Sequence, residues 1–167
     1  MGFLDSLGNL SVDFRDDLIY NEKASERTDL GVASQKNPLM TDGLAIIRKM
    51  KNGIPWYGFI DAKGNTVIEA DFLNVSGFKN GKALAIKVEG RELGRNDVLD
   101  KRIVSYKYDV VLIDKKGEVV QYLAGPFPVS VSPKKLREAP EIVARRLSEN
   151  LIAVRNPDKR WEVHKIE

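Results

Sequence analysis

Residues 56–65 contain the strongest structural signals in the chain and read Trp56-Tyr57-Gly58-Phe59-Ile60-Asp61-Ala62-Lys63-Gly64-Asn65. Aromatic and branched residues at its start favour a β-strand. Lys63-Gly64 or Gly64-Asn65 then supplies a turn, because glycine and asparagine tolerate the backbone angles that tight turns need. Residues 66–68 are again β-prone. We therefore expect a hairpin with one strand over residues 56–61 and the other over residues 66–70.

The same pattern recurs along the chain. A short apolar run at residues 44–47 precedes the hairpin, and Asn52-Gly53 separates the two as a strong turn signal. Residues 83–88 repeat the run, and residues 108–120 repeat the hairpin. Residues 150–163 are predicted to begin a third copy, which stops before its turn. The uneven spacing of the copies indicates insertions in the connecting loops.

These residues resemble the WG repeat family, whose unit contains a Trp-Gly pair, an Ile-Asp strand end and a glycine turn. Trp56 stands at the family tryptophan, Gly58 at its glycine after an inserted Tyr57, and Gly64 at the turn glycine. The second copy keeps the turn glycine but lacks the Trp-Gly pair. The third keeps a tryptophan followed by glutamate. The resemblance covers residues 42–122 well and residues 150–163 weakly.

The resemblance implies a β-rich bacterial repeat module that serves as a binding or scaffold unit, and it brings no catalytic residues. We predict a mainly β fold (β-rich α+β), built as an antiparallel meander of repeated β-hairpins with a C-terminal helical insertion. The predicted organisation is a cap or arm at 1–40, a repeat core at 41–125, the helical insertion at 126–149 and a partial third repeat at 150–167, all packing as one domain.

Two segments are predicted to be helical. In the insertion, Ser132 is placed as the N-cap and Pro133 in the first turn of a basic helix over residues 134–146. At the other end, apolar residues at positions 3, 4, 7 and 10 have helical spacing, which predicts a short amphipathic helix at residues 2–10. That helix either docks a partner or caps an open end of the sheet.

Composition narrows the function classes. A chain of 167 residues suits one domain. Its 27 lysines and arginines are mixed with 24 acidic residues, so the net charge of +3 is weak support for nucleic acid binding. The absence of cysteine excludes disulfides, thiol nucleophiles and cysteine-ligated zinc. We find no signal sequence and no apolar run long enough for a transmembrane segment, so we expect a cytoplasmic protein.

The sequence offers no catalytic constellation, so we expect no enzyme, no cofactor and no metal site. His164 is the sole histidine, which leaves any triad or histidine-based metal site dependent on that residue. Asp61 and Asp114 could form a carboxylate pair for acid–base work. Each precedes a glycine turn, however, where an aspartate usually accepts hydrogen bonds from the turn N–H groups.

Two hypotheses for the function remain. The first is a non-enzymatic interaction or scaffold module that binds another protein, as an accessory subunit of a larger assembly or as an immunity or adaptor protein. The alternative is a ligand- or nucleic-acid-binding module that uses the basic loop at 91–102 and the basic helix at 134–146. The candidate binding residues are Trp56, Tyr57, Phe72, Phe78, Arg91, Arg95 and Arg102.

Overall fold

A computed structural model describes residues 1–24, 30–96 and 101–166, and the side chains of 91–96 and 101–104 lie outside that description. The described strands are β1 (Phe3–Leu4), β2 (Leu10–Val12), β3 (Met40–Thr41), β4 (Leu44–Lys51), β5 (Ile54–Asp61), β6 (Thr66–Phe72), β7 (Asn74–Val75), β8 (Ala83–Asn96), β9 (Lys101–Ile113), β10 (Val119–Val129), β11 (Ala144–Ser148), β12 (Leu151–Arg155) and β13 (Trp161–Lys165).

These strands form antiparallel meanders, in which each strand pairs with its neighbour in sequence. We name them the N-terminal hairpin (β1–β2), the first sheet (β3–β6), the second sheet (β7–β10) and the third sheet (β11–β13). The first and second sheets have the same plan, a two-residue strand followed by three longer ones. The predicted β-rich antiparallel hairpins are therefore confirmed.

The predicted C-terminal helical insertion is wrong. Within the described residues the sole helix is a 3-10 turn at Val32–Ser34, and residues 126–149 contain the end of β10, a loop and β11. Ser132 does open one turn, since its carbonyl accepts a hydrogen bond from Leu136 N at 2.9 Å. Pro140 follows and has no N–H to continue a helix. Ile142 and Ala144 are instead buried in extended chain, so tertiary packing overrides the helical pattern.

The helix predicted at residues 2–10 is also wrong, because this segment is the N-terminal hairpin. Asp5 caps its turn by accepting hydrogen bonds from the backbone N–H groups of Leu7 and Asn9, each at 2.9 Å. Gly8 has a φ of +83°, which a helix cannot contain. The apolar spacing fitted both structures, and the turn chemistry decided between them.

The layers stack in chain order, and three apolar clusters join them. The first cluster joins the hairpin to the first sheet, the second joins the first sheet to the second, and the third joins the second sheet to the third. The two middle sheets are thus covered on both faces, which explains why residues 44–47 and 83–86 are apolar without alternation.

One type of turn occurs four times within the described residues. In the first sheet, Asp61 N donates to Asn65 O at 2.9 Å, and the Asp61 carboxylate accepts from the N–H of Asn65 at 2.9 Å. Gly64, the fourth residue, has a φ of +85°. The same bonds close the turns that begin at Asp5, Asp114 and Asn156. Aspartate or asparagine at the first position and a left-handed fourth residue are therefore the signature of the repeat.

Strand register repeats with the turn. Phe59 pairs with Ile68 and Ile60 with Thr66, with a bulge between the two pairs. In the N-terminal hairpin, the matching pairs are Phe3 with Val12 and Leu4 with Leu10, again with a bulge. The hairpin is therefore a second, shorter copy of the β5–β6 unit.

The repeat assignment at the carboxyl end also changes. The turn at residues 156–160 has the hydrogen bonds of the Asp61 turn, although Lys159 replaces glycine with a φ of +62°. This makes β12 the counterpart of β5 and β13 the counterpart of β6. The third copy thus begins with β11 and includes its turn, whereas the sequence placed its start one strand later. The division of the chain into domains stays a prediction.

Candidate interaction surface

Three of the four aromatic candidates lie in the interior. Tyr57, Phe72 and Phe78 are buried in the cluster between the first and second sheets. The Phe78 ring meets Phe59 edge-on, with 4.7 Å between ring centroids. These side chains hold the two sheets together and are not presented to a partner.

Trp56 is the one aromatic candidate that reaches the surface in part. The ammonium of Lys51 lies 5.7 Å from the centre of its ring, within the range of a cation–π contact. The same ammonium is 3.0 Å from the Asp71 carboxylate. Trp56 therefore belongs to a local polar cluster along strands β4 to β6.

The arginine candidates lie on the long hairpin formed by β8 and β9. The backbones of Arg91 and Arg95 pair with Ser105 and Arg102. The side chains of Arg91, Arg95 and Arg102 lie outside the described residues, so the predicted ligand grip stays a prediction.

The basic segment at 134–146 does not present one basic face, because it is not a helix. Lys134, Lys135 and Arg137 are exposed in the loop before β11. Arg145 and Arg146 are neighbours on strand β11 and point to opposite faces of the third sheet. Arg146 is half-buried, and burial lowers the pKa of its guanidinium.

The two carboxylates considered for acid–base work accept hydrogen bonds from N–H groups of their own turns. Asp114 accepts from the N–H groups of Lys116 and Glu118 at 2.9 and 3.0 Å. Asp61 does the same with Lys63 and Asn65, and the N–H of Asn65 is the main cause that lowers the pKa of Asp61. A carboxylate stabilised in its ionised form is a poor proton donor near neutrality.

His164 lies on the inner face of the third sheet, paired with Ile152. It lines a groove with Asp109 and Tyr122 of the second sheet. Its Nε2 is 3.7 Å from Glu162 Oε2, and within the described residues it has no hydrogen-bond partner. Burial raises the pKa of Asp109, and Glu89 adds to this. No group of three potential metal ligands occurs in the part of the chain that the structure describes.

One face of the third sheet points away from the second sheet. Ala153 pairs with Arg145 on one side and with Val163 on the other, so these three residues share a face. Alternation adds to the same face the side chains at the flanking positions, Leu151, Arg155, Trp161 and Lys165. We call this set of residues the outer face.

The outer face combines exposed apolar and basic side chains. Trp161 is 47% exposed and Val163 is 60% exposed, although both lie in regular strand. In the first sheet, by contrast, Ile68 is 4% exposed because the second sheet covers its face. Sequence reasoning missed this face, since it read Trp161 as a repeat tryptophan. The alternation of residues 161–165 was the available signal.

No helix in the described part of the chain is long and apolar enough to cross a membrane.

Comparison with known proteins supports the repeat. Residues 57–90 match the family model described as WG containing repeat, which confirms the predicted resemblance for this part of the chain. The matched segment begins in β5 and ends in β8, and it includes the turn closed by Asp61. The comparison with curated proteins and the comparison with solved structures each returned no match.

Proposed function

We propose that this WG-repeat protein is a non-enzymatic interaction module that binds another protein through the outer face of the third sheet. One observation carries the proposal. Trp161 and Val163 are exposed on a regular sheet face, whereas both faces of the first and second sheets are covered by neighbouring layers. Such a module acts as an accessory subunit of a larger assembly or as an immunity or adaptor protein.

The chemistry of the outer face suits a protein partner. Burying an exposed valine side chain contributes about 1.5–3 kcal/mol. Tryptophan and arginine are the residue types most enriched among interface residues that dominate binding energy. Trp161 and its cross-strand neighbour Arg155 provide both on adjacent strands. Arg145 and Lys165 place positive charge beside these apolar side chains. A partner with acidic residues around its apolar contact would therefore be favoured.

Affinity purification from native cell lysate tests the proposal. The tagged protein, the variant Val163→Asp and the variant Trp161→Ala are compared after nuclease treatment, and stoichiometric proteins are identified by mass spectrometry. We expect the wild type to recover a partner that both variants lose by about tenfold or more.

Val120→Asp is the matched control, because Val120 is a half-exposed valine in strand β10 and lies outside the outer face. It should recover the partner as the wild type does. Equal recovery by the wild type and Val163→Asp would refute the proposed surface. Recovery of nucleic acid that is lost steeply with salt would refute the protein-binding function and favour the loop at 91–102.

A further inference from the structure

We propose that the chain forms a symmetric dimer, in which strand β13 of the third sheet pairs antiparallel with β13 of a second copy. The two third sheets then become one continuous sheet with the two-fold axis at Val163. Because pairing through the edge leaves the outer face open, the dimer does not depend on the binding function proposed above. It places two outer faces side by side.

Strand β13 is more regular than the other edge strands of the described sheets. The edge strands β1, β2, β3 and β7 have two or three residues each, and β6 and β11 pair irregularly with their neighbours. Strand β10 combines irregular pairing with Pro126 and Pro128. Short length, bulges and proline all prevent an exposed edge from pairing with another chain. In contrast, the five residues of β13 pair with β12 without a shift and include no proline.

The edge of β13 presents backbone groups at alternate residues. In the ladder with β12, Asn156 N donates to Arg160 O and Ile166 N donates to Asn150 O, each at 2.8 Å. Hydrogen-bonded and non-hydrogen-bonded pairs alternate along a regular antiparallel ladder, so the even-numbered residues of β13 bond to β12. The backbone groups that point away from β12 therefore belong to Trp161, Val163 and Lys165.

These outward groups are able to pair with a further strand, the usual way in which an extended segment joins a sheet edge. Lys165 O accepts a hydrogen bond from Gln121 Nε2 at 3.2 Å. A carbonyl oxygen has two lone pairs, so the same oxygen can also accept an N–H from a second copy.

The segment Trp161-Glu162-Val163-His164-Lys165 complements its own reverse. When Val163 lies opposite Val163 of the second copy, Trp161 lies opposite Lys165 and Glu162 lies opposite His164. A lysine ammonium makes a favourable contact with the face of a tryptophan ring. An imidazole N–H can donate to a carboxylate. In a dimer with two-fold symmetry each of these contacts is made twice.

Neighbouring registers lose this complementarity. Outward-pointing residues must lie opposite outward-pointing residues, so odd-numbered positions always face odd-numbered positions. A shift in one direction places Glu162 opposite itself, which is unfavourable for like charges. A shift in the other direction places His164 opposite itself and removes the carboxylate from it. Charged side chains usually guard an edge strand against pairing, but in the symmetric register they favour it.

His164 provides a second observation. Its Nε2 atom is buried and has no hydrogen-bond partner within the described residues. Leaving a buried polar atom unpaired is unfavourable. Glu162 of the second copy lies across a non-hydrogen-bonded pair, in which opposite side chains approach most closely. Its carboxylate therefore offers the imidazole an acceptor.

Analytical ultracentrifugation of the full chain from about 1 μM to about 1 mM measures the association. A short strand pair buries little surface, so we expect a weak dimer. The mass should level off at two copies, because each β13 has one free edge. Val163→Pro removes an outward N–H from an edge strand, where proline is tolerated, and should lower the association constant about tenfold or more. Val163→Thr is the matched control, since it keeps the N–H and the branched shape, and should dimerise as the wild type does.

Cysteine cross-linking tests the register, because the chain contains no cysteine of its own. The Cα atoms of a hydrogen-bonded antiparallel pair lie about 5.5 Å apart, within the range of a disulfide. Val163→Cys should therefore form a covalent dimer under mild oxidation. Leu147→Cys is the control and should stay monomeric, because Leu147 is 54% exposed on β11, the other edge of the same sheet.

A pair of charge variants tests the contact between Trp161 and Lys165. Trp161→Lys places two lysines opposite each other, so its self-association should fall about tenfold or more. An equimolar mixture of Trp161→Lys with Lys165→Glu should form a heterodimer, since the new lysine then faces the new glutamate. Both positions are exposed, and circular dichroism verifies the fold of each variant.

A wild type that stays monomeric up to about 1 mM would overturn the proposal. So would assembly beyond the dimer, a Val163→Pro variant that dimerises normally, or cross-linking by Leu147→Cys but not by Val163→Cys. A monomeric chain that still recovers a lysate protein through Trp161 would leave the proposed binding function standing. A dimer that recovers no lysate protein would leave the dimer standing alone.

Discussion

Residues 2–12 and residues 58–68 form the same hairpin at two places in the stack. Both read Gly-Phe, then Leu or Ile, then Asp, and both close with Gly-Asn in the turn. Their strand pairs and bulges correspond. They differ in burial, because Ile60 is enclosed whereas Leu4 is largely exposed. Local sequence therefore determined the hairpin, and position in the stack determined which of its faces is covered.

The largest effect is expected at Phe59, which is fully buried between the first and second sheets. Phe59→Ala should lower the free energy of unfolding by about 3–5 kcal/mol, because it removes the ring and leaves a cavity. Phe3, its counterpart, is only partly buried, so Phe3→Ala should cost distinctly less. Urea denaturation of both variants measures the difference. Equal losses would show that the two hairpins are equally enclosed.

A second comparison concerns the opposite face of the same hairpins. Ile60→Ala should cost about 2–5 kcal/mol, since the side chain is enclosed by the hairpin cluster. Leu4→Ala should change stability by about 0.5 kcal/mol or less in the monomer, because its side chain faces solvent. The measurement is again urea denaturation, at low protein concentration. A loss at Leu4 that matches the loss at Ile60 would contradict the exposed hairpin face.

Gly58 should tolerate no side chain. A Cβ there would press on the backbone of β6, including the carbonyl oxygen of Ile68. Gly58→Ala should therefore cost about 1–3 kcal/mol, the usual cost of overpacking. Ala153 holds the corresponding position in the third sheet, where the β12–β13 pairing has no bulge. Thermal unfolding compares Gly58→Ala with Ala153→Gly, for which we expect about 1 kcal/mol from strand flexibility. A stabilised Gly58→Ala would refute the close approach.

The smallest effect is expected from pH at the turn aspartate. Backbone N–H groups, chiefly that of Asn65, lower the pKa of Asp61 below its ordinary value of 3.8. The contribution of the ionised carboxylate is therefore present above the unfolded pKa and is lost as pH falls through the lowered folded pKa. Asp61→Asn keeps an acceptor, as Asn156 does in the third sheet. The stability difference between wild type and Asp61→Asn should be larger at pH 7 than near pH 2.

Chemical denaturation at the two pH values measures that difference. The other carboxylates titrate in both proteins, so they cancel in the comparison. A difference that is the same at both pH values would contradict the lowered pKa of Asp61.

Much of the fold could be predicted where the signals are local. Short stretches of sequence were enough to predict the Asp61 and Asp114 turns, the apolar runs at 44–47 and 83–86, and the family resemblance that was confirmed at residues 57–90. The turn at Asn156 was missed because Lys159 takes the place of the usual glycine, and a lysine in a left-handed conformation has no strong sequence signal. Ile142 and Ala144 were wrongly predicted to be helical. The second sheet, which buries them in extended chain, is distant in sequence and leaves no local signal.

The candidate site shows the same limit. Residue type alone marked Tyr57, Phe72 and Phe78 as binding residues, but an aromatic side chain is suited equally to a core and to an interface. The packing of the second sheet on the first decided that these three lie inside. No layer covers the outer face among the described residues, and so Trp161 and Val163, which have the same apolar character, are exposed.

The aspartate–glycine turns and the strands beside them at residues 54–72 follow from the amino-acid sequence, because turn geometry and strand preference depend on residues a few positions apart. Packing between layers established which strand faces are enclosed, that the carboxyl-terminal segment is extended, and that the stack ends in a hairpin with exposed aspartates and in a basic outer face. Burial depends on the layer that lies opposite, and that layer is supplied by residues far away in the chain.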